Sequence, residues 1–401
     1  MKFRIHNFGP IIKGFTQDEY MNISGVTIFI GGQGTGKSTL AKVLSTLMWI
    51  EKALVRDDFS EKALQQTGKF KTHFAFNGIH GYFQKETEIE YCGEYYHLHY
   101  QEEKLGIEKM DFGSEILLPK IMYVPSERNF VSVIPKPSVI SNLSLSIATF
   151  LDEYENAKRT LSGPISLPVT DGEFSYDKLN DISWVERKGN KTRLSQASSG
   201  YQSVIPLYLV TRYLSELISN EDVPLNVTNY RNMRKELELI MNNEKMDSTK
   251  KNYFLNMILP KYKPSYLVNI VEEPEQNLFP DSQIRMFHAL LEYQNKQKHN
   301  QLIVTTHSPY IVNALSLSVA CFMAAKTVSG HEKHLEKLRA IVPSPAWLDP
   351  EMYTVYQLDE EGNIAKLPTF DSIPSDENIL NSCLGDFNDS FSRIMEIEDS
   401  L

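Results

Sequence analysis

The sequence has little cysteine and no long hydrophobic run. Its three cysteines, Cys92, Cys321 and Cys383, lie far apart with no CxxC spacing. That excludes a disulfide framework and a cysteine-built zinc cluster, and it points to a reducing compartment such as the cytoplasm. No run of eighteen or more apolar residues occurs, and the opening MKFRIHNFGPII lacks the apolar stretch of a secretory leader. Neither secretion nor membrane spanning is expected. Positive charge is not in excess: 41 Lys and Arg stand against 51 Asp and Glu, for a formal net charge of -10. This opposes general attraction to nucleic acid but leaves room for a local basic face. Internal repeats and low-complexity segments are also missing.

What remains is an ordinary globular composition, 41% hydrophobic and 23% charged over 401 residues. A chain of that length buries a large core in two or three domain-sized units, or in one head with insertions. Phe3, Ile5 and Phe8 alternate before Gly9-Pro10, which predicts an edge hairpin. Val26–Ile30 is a short β-branched run ending in glycine. Leu40, Val43, Leu44, Leu47 and Met48 follow at helical spacing, so a strand, a glycine loop and a helix come in order. Residues 83–91 and 95–100 flank Cys92-Gly93-Glu94 and predict an antiparallel β arm. Residues 121–124 form another short strand, and 184–187 with 191–194 form a hairpin. The stretch 201–259 reads as mostly helical, broken near Pro224. Tyr266–Val271 and Gln301–Thr306, separated by a helix over 281–296, suit central parallel strands.

Three strand ends carry chemistry. The run GGQGTGKST, Gly31, Gly32, Gln33, Gly34, Thr35, Gly36, Lys37, Ser38 and Thr39, is a Walker A pattern. Its glycines let the backbone wrap phosphates with its N–H groups; Lys37 would reach the β and γ phosphates, Ser38 would ligate Mg²⁺, and Thr39 would bond the α-phosphate. In YLVNIVEEPEQNLFP an apolar strand ends in acid, as a Walker B site requires: Glu272 would hold Mg²⁺ and Glu273 would orient or deprotonate the attacking water. In LIVTTHSPYIV, His307 lies just beyond a strand, where it could meet the γ-phosphate. A fourth run, SQASSGYQS, places Ser198, Ser199 and Gly200 at a helix start that suits a phosphate.

The order Walker A, serine-glycine helix start, EEPE and THSP resembles the ABC-type ATPases of the SMC, RecF and OLD group. NFGPI, GKST, YVPSER, ASSGYQS, EEPEQNLFP and TTHSP are similar to the OLD-family branch, including ATPases of anti-phage defence systems. The resemblance spans most of the chain. It implies an α/β P-loop ATPase head with an N-terminal β arm and a helical insertion, divided as 1–200, 201–263 and 264–401. It implies ATP and Mg²⁺ as cofactors, and a homodimer or higher homo-oligomer in which Ser198, Ser199 and Gly200 cap the nucleotide of the other copy. The signature departs from the usual LSGGQ, and no clear Q-loop glutamine stands out among Gln65, Gln66 and Gln84. Arg128 reads equally as a conformational sensor or as half of a structural ion pair. Fewer than a hundred residues follow THSP, with no EGE-like strand, and Asp359, Glu360 and Glu361 read as a solvated turn rather than nuclease acids. The resemblance therefore implies a separate effector, a nuclease of TOPRIM or HNH type, with a phage-encoded trigger and DNA as further partners. The alternative is a RecF-like ATPase of DNA maintenance, with a basic face near Lys188, Lys191 and Arg193 or near Lys245, Lys250 and Lys251.

Overall fold

The computed structural model describes residues 1–17, 19–111, 116–134, 143–220, 227–243, 246–248, 251, 258 and 261–399. Its centre is a seven-stranded sheet. The strands are β2 (Gly14–Phe15), β4 (Val26–Gly31), β8 (Pro119–Val124), β13 (Tyr266–Glu272), β14 (Gln301–Thr306), β15 (Tyr353–Leu358) and β16 (Asn363–Lys366), in spatial order β2-β16-β15-β4-β14-β13-β8. From β15 to β8 every pairing is parallel. Both faces of such a sheet are covered, which is why β4 and β13 are mostly apolar and are buried along their whole lengths.

Alternate side chains of these strands enter two cores. Val26, Ile28 and Ile30 face one, Phe29 the other. On the Phe29 side lies α1 (Lys37–Val55), whose Leu40, Val43, Leu44, Leu47, Met48 and Ile50 are buried. Each such side chain contributes about 1.5–3 kcal/mol relative to exposure. Over α1 packs an antiparallel sheet of β1 (Lys2–Phe8), β3 (Met21–Asn22), β5 (Phe83–Cys92), β6 (Tyr96–Gln101) and β7 (Lys104–Lys109), in order β3-β1-β5-β6-β7. The expected arm is therefore a five-stranded layer. The turn expected at Gly9-Pro10 forms, with the Phe8 N–H donating to Ile11 O at 2.8 Å and the Ile11 N–H to Phe8 O at 3.0 Å, but the edge position is corrected: β1 lies inside this sheet, paired to β3 and β5. Phe3, Ile5 and Phe8 are wholly buried there, in the core shared with α1.

The opposite core is roofed by helices α2 (Leu145–Thr160), α3 (Ser199–Ser219), α5 (Pro280–Asn295) and α6 (Pro309–Thr327). A small antiparallel sheet of β9 (Ile165–Ser166), β10 (Gly172–Asp177), β11 (Ile182–Arg187) and β12 (Asn190–Arg193) leads into α3. Although α3 falls in the segment expected as an insertion, it belongs to the main core. Val204, Ile205, Leu207, Leu209, Val210 and Leu214 are buried, and Thr211 Oγ1 accepts from Asn269 Nδ2 of β13 at 3.0 Å. The rest of that segment includes α4 (Val227–Met241); Pro224, Lys245 and Lys250 lie outside the described residues. Helix α6 is long and apolar enough to cross a membrane by length and composition, yet one face, including Ile311, Leu315 and Val319, is buried in the core. After α7 (Glu332–Ile341), Asp359 Oδ1 accepts the N–H groups of Glu361 and Asn363 in the turn joining β15 to β16. The 359–361 acids thus form a turn. The described chain closes with α8 (Ile379–Asp399).

Candidate functional site

Strands β4, β14 and β13 are neighbours, and their register sets Ile30 beside Thr306 and Thr305 beside Glu272. The glycine loop, the histidine and the acid pair therefore gather at one carboxyl edge of the sheet. This is where open parallel sheets place ligands.

The loop after β4 owes its shape to three glycines with positive φ, Gly31 (154°), Gly34 (77°) and Gly36 (102°). A Cβ on Gly36 would meet Ile11 Cδ1 at 2.4 Å, whereas one on Gly34 would meet nothing within 4 Å. Gly36 is thus pressed against the protein, while Gly34 borders open space. Gly36 also caps α1, so the first N–H groups of a 19-residue helix point into the loop. Thr35 Oγ1 donates to Gly32 O at 3.0 Å and tightens the wrap. Lys37 is only 5% exposed; its Nζ donates to Gly31 O at 3.0 Å and Gly32 O at 2.6 Å. Burial lowers its pKa to about 8 against the opposing pull of Glu273 and Glu275. Thr39 is buried at the loop's end, and Ser38 is half-buried, as is Gly32, while Gln33 is exposed.

At the tip of β13, Glu272 is 2% exposed, and both carboxylate oxygens are engaged. Tyr123 Oη donates to Oε1, and the Ser126 N–H donates to Oε2 at 3.1 Å. Glu273 stands just beyond, with φ of 44°, a conformation costly for a side chain with a Cβ. Its N–H donates to Thr305 O at 2.8 Å, and its carbonyl accepts from Arg128 Nη2 at 2.6 Å. The strained backbone is held from both sides.

Arg128 is 1% exposed, and among the described residues its hydrogen bonds go to main-chain oxygens rather than to a carboxylate. Its guanidinium donates to four backbone carbonyls: Glu273, Glu272 at 2.7 Å, Ser203 at 3.1 Å and Pro125 at 3.4 Å. Desolvation lowers its pKa to about 10, so it stays charged at neutral pH. The Ser203 carbonyl belongs to α3, and its neighbour has an unusual partner as well. Pro206, inside α3, has no N–H to give Gln202 O; Ser132 Oγ donates to that carbonyl instead, at 2.8 Å. One proline thus opens the helix backbone beside Arg128.

Beyond β14, His307 Nε2 stands 3.6 Å from Glu273 Oε1. Burial and the nearby Lys37 ammonium push the imidazole below its usual pKa, so it is neutral at pH 7. A residue that the motif reading passed over underlies it. Glu275 Oε1 accepts from Thr306 Oγ1 and from the His307 N–H, both at 2.8 Å, while Oε2 is buried with no hydrogen-bond partner. Burial pushes this carboxyl pKa up. The third acid of EEPE was the signal that could have exposed it.

Ser198 and Ser199 are exposed at the start of α3. Gln202 Nε2 donates to Ala197 O and Ser195 O at 3.0 and 3.2 Å and fixes the approach to the helix. A Cβ on Gly200 would sit 3.0 Å from Asn277 O, so the helix start packs on the segment after β13. Among the described residues no hydrogen bond joins Ser198–Gly200 to the glycine loop of the same chain. Gln65 donates to Leu105 O in the antiparallel layer at 3.2 Å, Gln66 is exposed there, and Gln84 stands exposed on β5. None of the three glutamines bonds to the site.

A glycine loop joining a central parallel strand to a helix, an acid pair on a neighbouring strand and an antiparallel layer over α1 define the class: an α/β P-loop NTPase with the fold of an ABC-type ATPase head. Residues 134–312 match the family model described as "AAA ATPase domain". No curated protein matches the chain. Among solved structures it is similar to the SMC head domain from Thermotoga maritima, at 14% identity over 92% of this chain and 98% of that one, with a TM-score of 0.38. It is also similar to the Smc head domain of Pyrococcus furiosus bound to the C-terminal domain of ScpA, at 10% identity over 78% and 90% of the two chains, TM-score 0.37. A dimeric ATP-binding cassette in a post-hydrolysis state with ADP and Pi matches at 11% identity over 92% and 100%, TM-score 0.26. The match over residues 134–312 supports an ATPase domain.

Proposed function

We propose that the chain hydrolyses ATP between two copies of itself and serves as the sensing ATPase of an anti-phage defence system, controlling a separate effector. The observation that carries the ATPase reading is the gathering of Lys37, Glu272, Glu273 and His307 on the ends of adjacent parallel strands. The loop amides and Lys37 hold the phosphates. Among the described residues no three His, Cys, Asp or Glu side chains are placed to bind a metal by themselves. One hydroxyl and one carboxylate, Ser38 and Glu272, nevertheless suit Mg²⁺, which takes few protein ligands and completes its shell with water and phosphate. The hydrogen bonds from Tyr123 and Ser126 fix the Glu272 side chain at the strand tip, where it would hold such an ion through water. When bound, Mg²⁺ neutralises charge on the β and γ phosphates. Glu273 orients and deprotonates the attacking water, and neutral His307 donates to the γ-phosphate. Ser198 and Ser199, exposed on their own copy, and half-buried Gly200 supply donors to the nucleotide of the other. The reading keeps 1–200 and 264–401 as the two lobes of the head and 201–263 as the insertion, with α3 taken into the core.

Glu273→Gln tests the chemistry: turnover should fall on the order of 10²–10³-fold while ATP binding persists and the ATP-bound dimer accumulates in sedimentation. Unchanged turnover would remove Glu273 from its role. The defence reading rests on resemblance to AriA ATPases of PARIS systems, with PtuA ATPases of Septu systems a more distant likeness. It expects the product of a neighbouring gene, a nuclease, to co-purify in an ATP-dependent manner, and the locus to protect cells from phage. Absence of both partner and protection overturns it.

A second reading, an ATPase that clamps DNA, is favoured by one feature. Lys188, Lys191 and Arg193 are exposed on the β11–β12 hairpin, with Lys191 Nζ 5.2 Å and Arg193 Cζ 5.8 Å from the Trp184 ring centre. Salt-dependent binding of plain duplex DNA, lost on Lys191→Glu and Arg193→Glu, would support it.

A further inference from the structure

A cavity of about 500 Å³ lies between α1, the segment 72–77, strand β8 and the first turns of α2. Among the described residues neither the glycine loop nor Glu272 and Glu273 lines it, so it is separate from the nucleotide site. Its size is that of a small-molecule site, roughly 300–1,000 Å³. Two exposed apolar side chains line it. Trp49 is 45% exposed on α1, whose other apolar residues are all buried, and Leu145 is 59% exposed at the start of α2. His73 and Phe76 add rings, with the Trp49 and His73 ring centres 5.4 Å apart. Burial and the nearby Lys69 lower the His73 pKa, so this imidazole is a neutral ring at pH 7. Aromatic side chains left in water around one hollow, rather than scattered singly, mark a binding surface.

Two polar groups of the lining are short of partners. Lys52 Nζ donates to Pro119 O at 2.6 Å, yet among the described residues it pairs with no carboxylate. The neighbouring cations are better served: Lys120 pairs with Glu153, and Arg56 Nε stands 3.5 Å from Asp58. Burial, with Arg56 and Lys120 close by, lowers the Lys52 pKa to about 7. A desolvated ammonium beside two further cations lacks an anion. Asn77, 5% exposed, is the second group. Its Nδ2 donates to Lys42 O and Thr46 Oγ1 at 3.2 and 3.1 Å, while its Oδ1 is buried with no hydrogen-bond partner.

We propose that this cavity is a second ligand site, for a small flat aromatic molecule bearing a carboxylate that meets Lys52 and a hydrogen-bond donor that meets Asn77. Its ring system lies among Trp49, His73 and Phe76. Tyr123 also lines the cavity, and its hydroxyl donates to Glu272, so an occupant touches the support of the acid at the nucleotide site; that link alone rests on the ATPase reading. Titration calorimetry of the full chain, with and without saturating ADP, tests the site with three probes. Indole-3-acetate should bind in both conditions. Indole-3-acetamide, which lacks the charge, should bind about tenfold or more weakly, and decanoate, which lacks the ring, should bind more weakly still. Lys52→Met should impose the same loss on indole-3-acetate and spare the amide. Thr149→Trp, at an exposed position of α2 on the cavity, should abolish binding of both with ATP turnover unchanged, and it decides the matter if Lys52→Met fails to fold. Absence of indole-3-acetate binding, equal binding of decanoate, or displacement by ADP overturns the proposal. Added indole-3-acetate should alter turnover in the wild type but not in Thr149→Trp; unchanged turnover would deny the link through Tyr123. A chain that binds indole-3-acetate but hydrolyses no ATP keeps this site and removes the ATPase reading.

Discussion

Lys37 carries a pH dependence whose sign follows from its surroundings. In the free protein its pKa is lowered to about 8 by burial. Bound phosphates favour the charged form, so below pH 8 the ammonium is already in place and ATP affinity is flat. Above pH 8 binding must take up a proton, and Kd should rise up to about tenfold per pH unit. Titration calorimetry between pH 7 and 9.5, in buffers of different ionisation enthalpy, should show proton uptake only in the upper half. A flat profile would place Lys37 away from the phosphates. Glu275 acts one step removed. Glu275→Ala leaves the Thr306 hydroxyl and the His307 N–H without their acceptor, at about 1–3 kcal/mol for each buried group, and turnover should fall with His307 displaced. Glu275→Gln keeps a carbonyl acceptor and should recover most of both losses in urea unfolding and in ATPase assays. The motif residues were legible in the sequence because phosphate chemistry fixes residue type and spacing locally. The roles of Glu275, Tyr123 and Ser126, which lie within the quoted runs, were not, because those roles lie in burial and in partners brought from other strands.

At the scale of elements, α3 shows how a helix interior tolerates proline. Ser132→Ala should cost about 1–3 kcal/mol, since the Gln202 carbonyl then has no donor. In a Pro206→Ala background the restored N–H can bond Gln202, and the same Ser132→Ala change should cost much less. Urea denaturation of the four proteins reads the coupling directly; additive losses would show that the two residues act separately. Strands β4, β13 and β14 and helix α1 were foreseen from runs and periodicity, since a buried parallel strand or an amphipathic helix writes its pattern within a few residues. The place of β1 inside a sheet was hidden, because its partners Met21–Asn22 and Glu88–Cys92 are set by topology.

Across the whole molecule, Arg128 ties together the segment after β8, the end of β13 and helix α3. Arg128→Met leaves four buried carbonyls without this donor. It should lower unfolding free energy by about 3 kcal/mol or more, and it should also slow turnover by releasing Glu273 from its positive-φ backbone. Guanidine unfolding with ATPase assays on the same samples checks both; loss of neither would deny the link. Because every anchor of Arg128 is a main-chain oxygen, its hold does not depend on which side chains Ser203, Glu272 and Glu273 carry. Sequence drift at the acids or at the helix start can therefore retune or silence the chemistry while the frame persists, so copies that bind ATP without hydrolysing it are open to evolution from this chain by single substitutions.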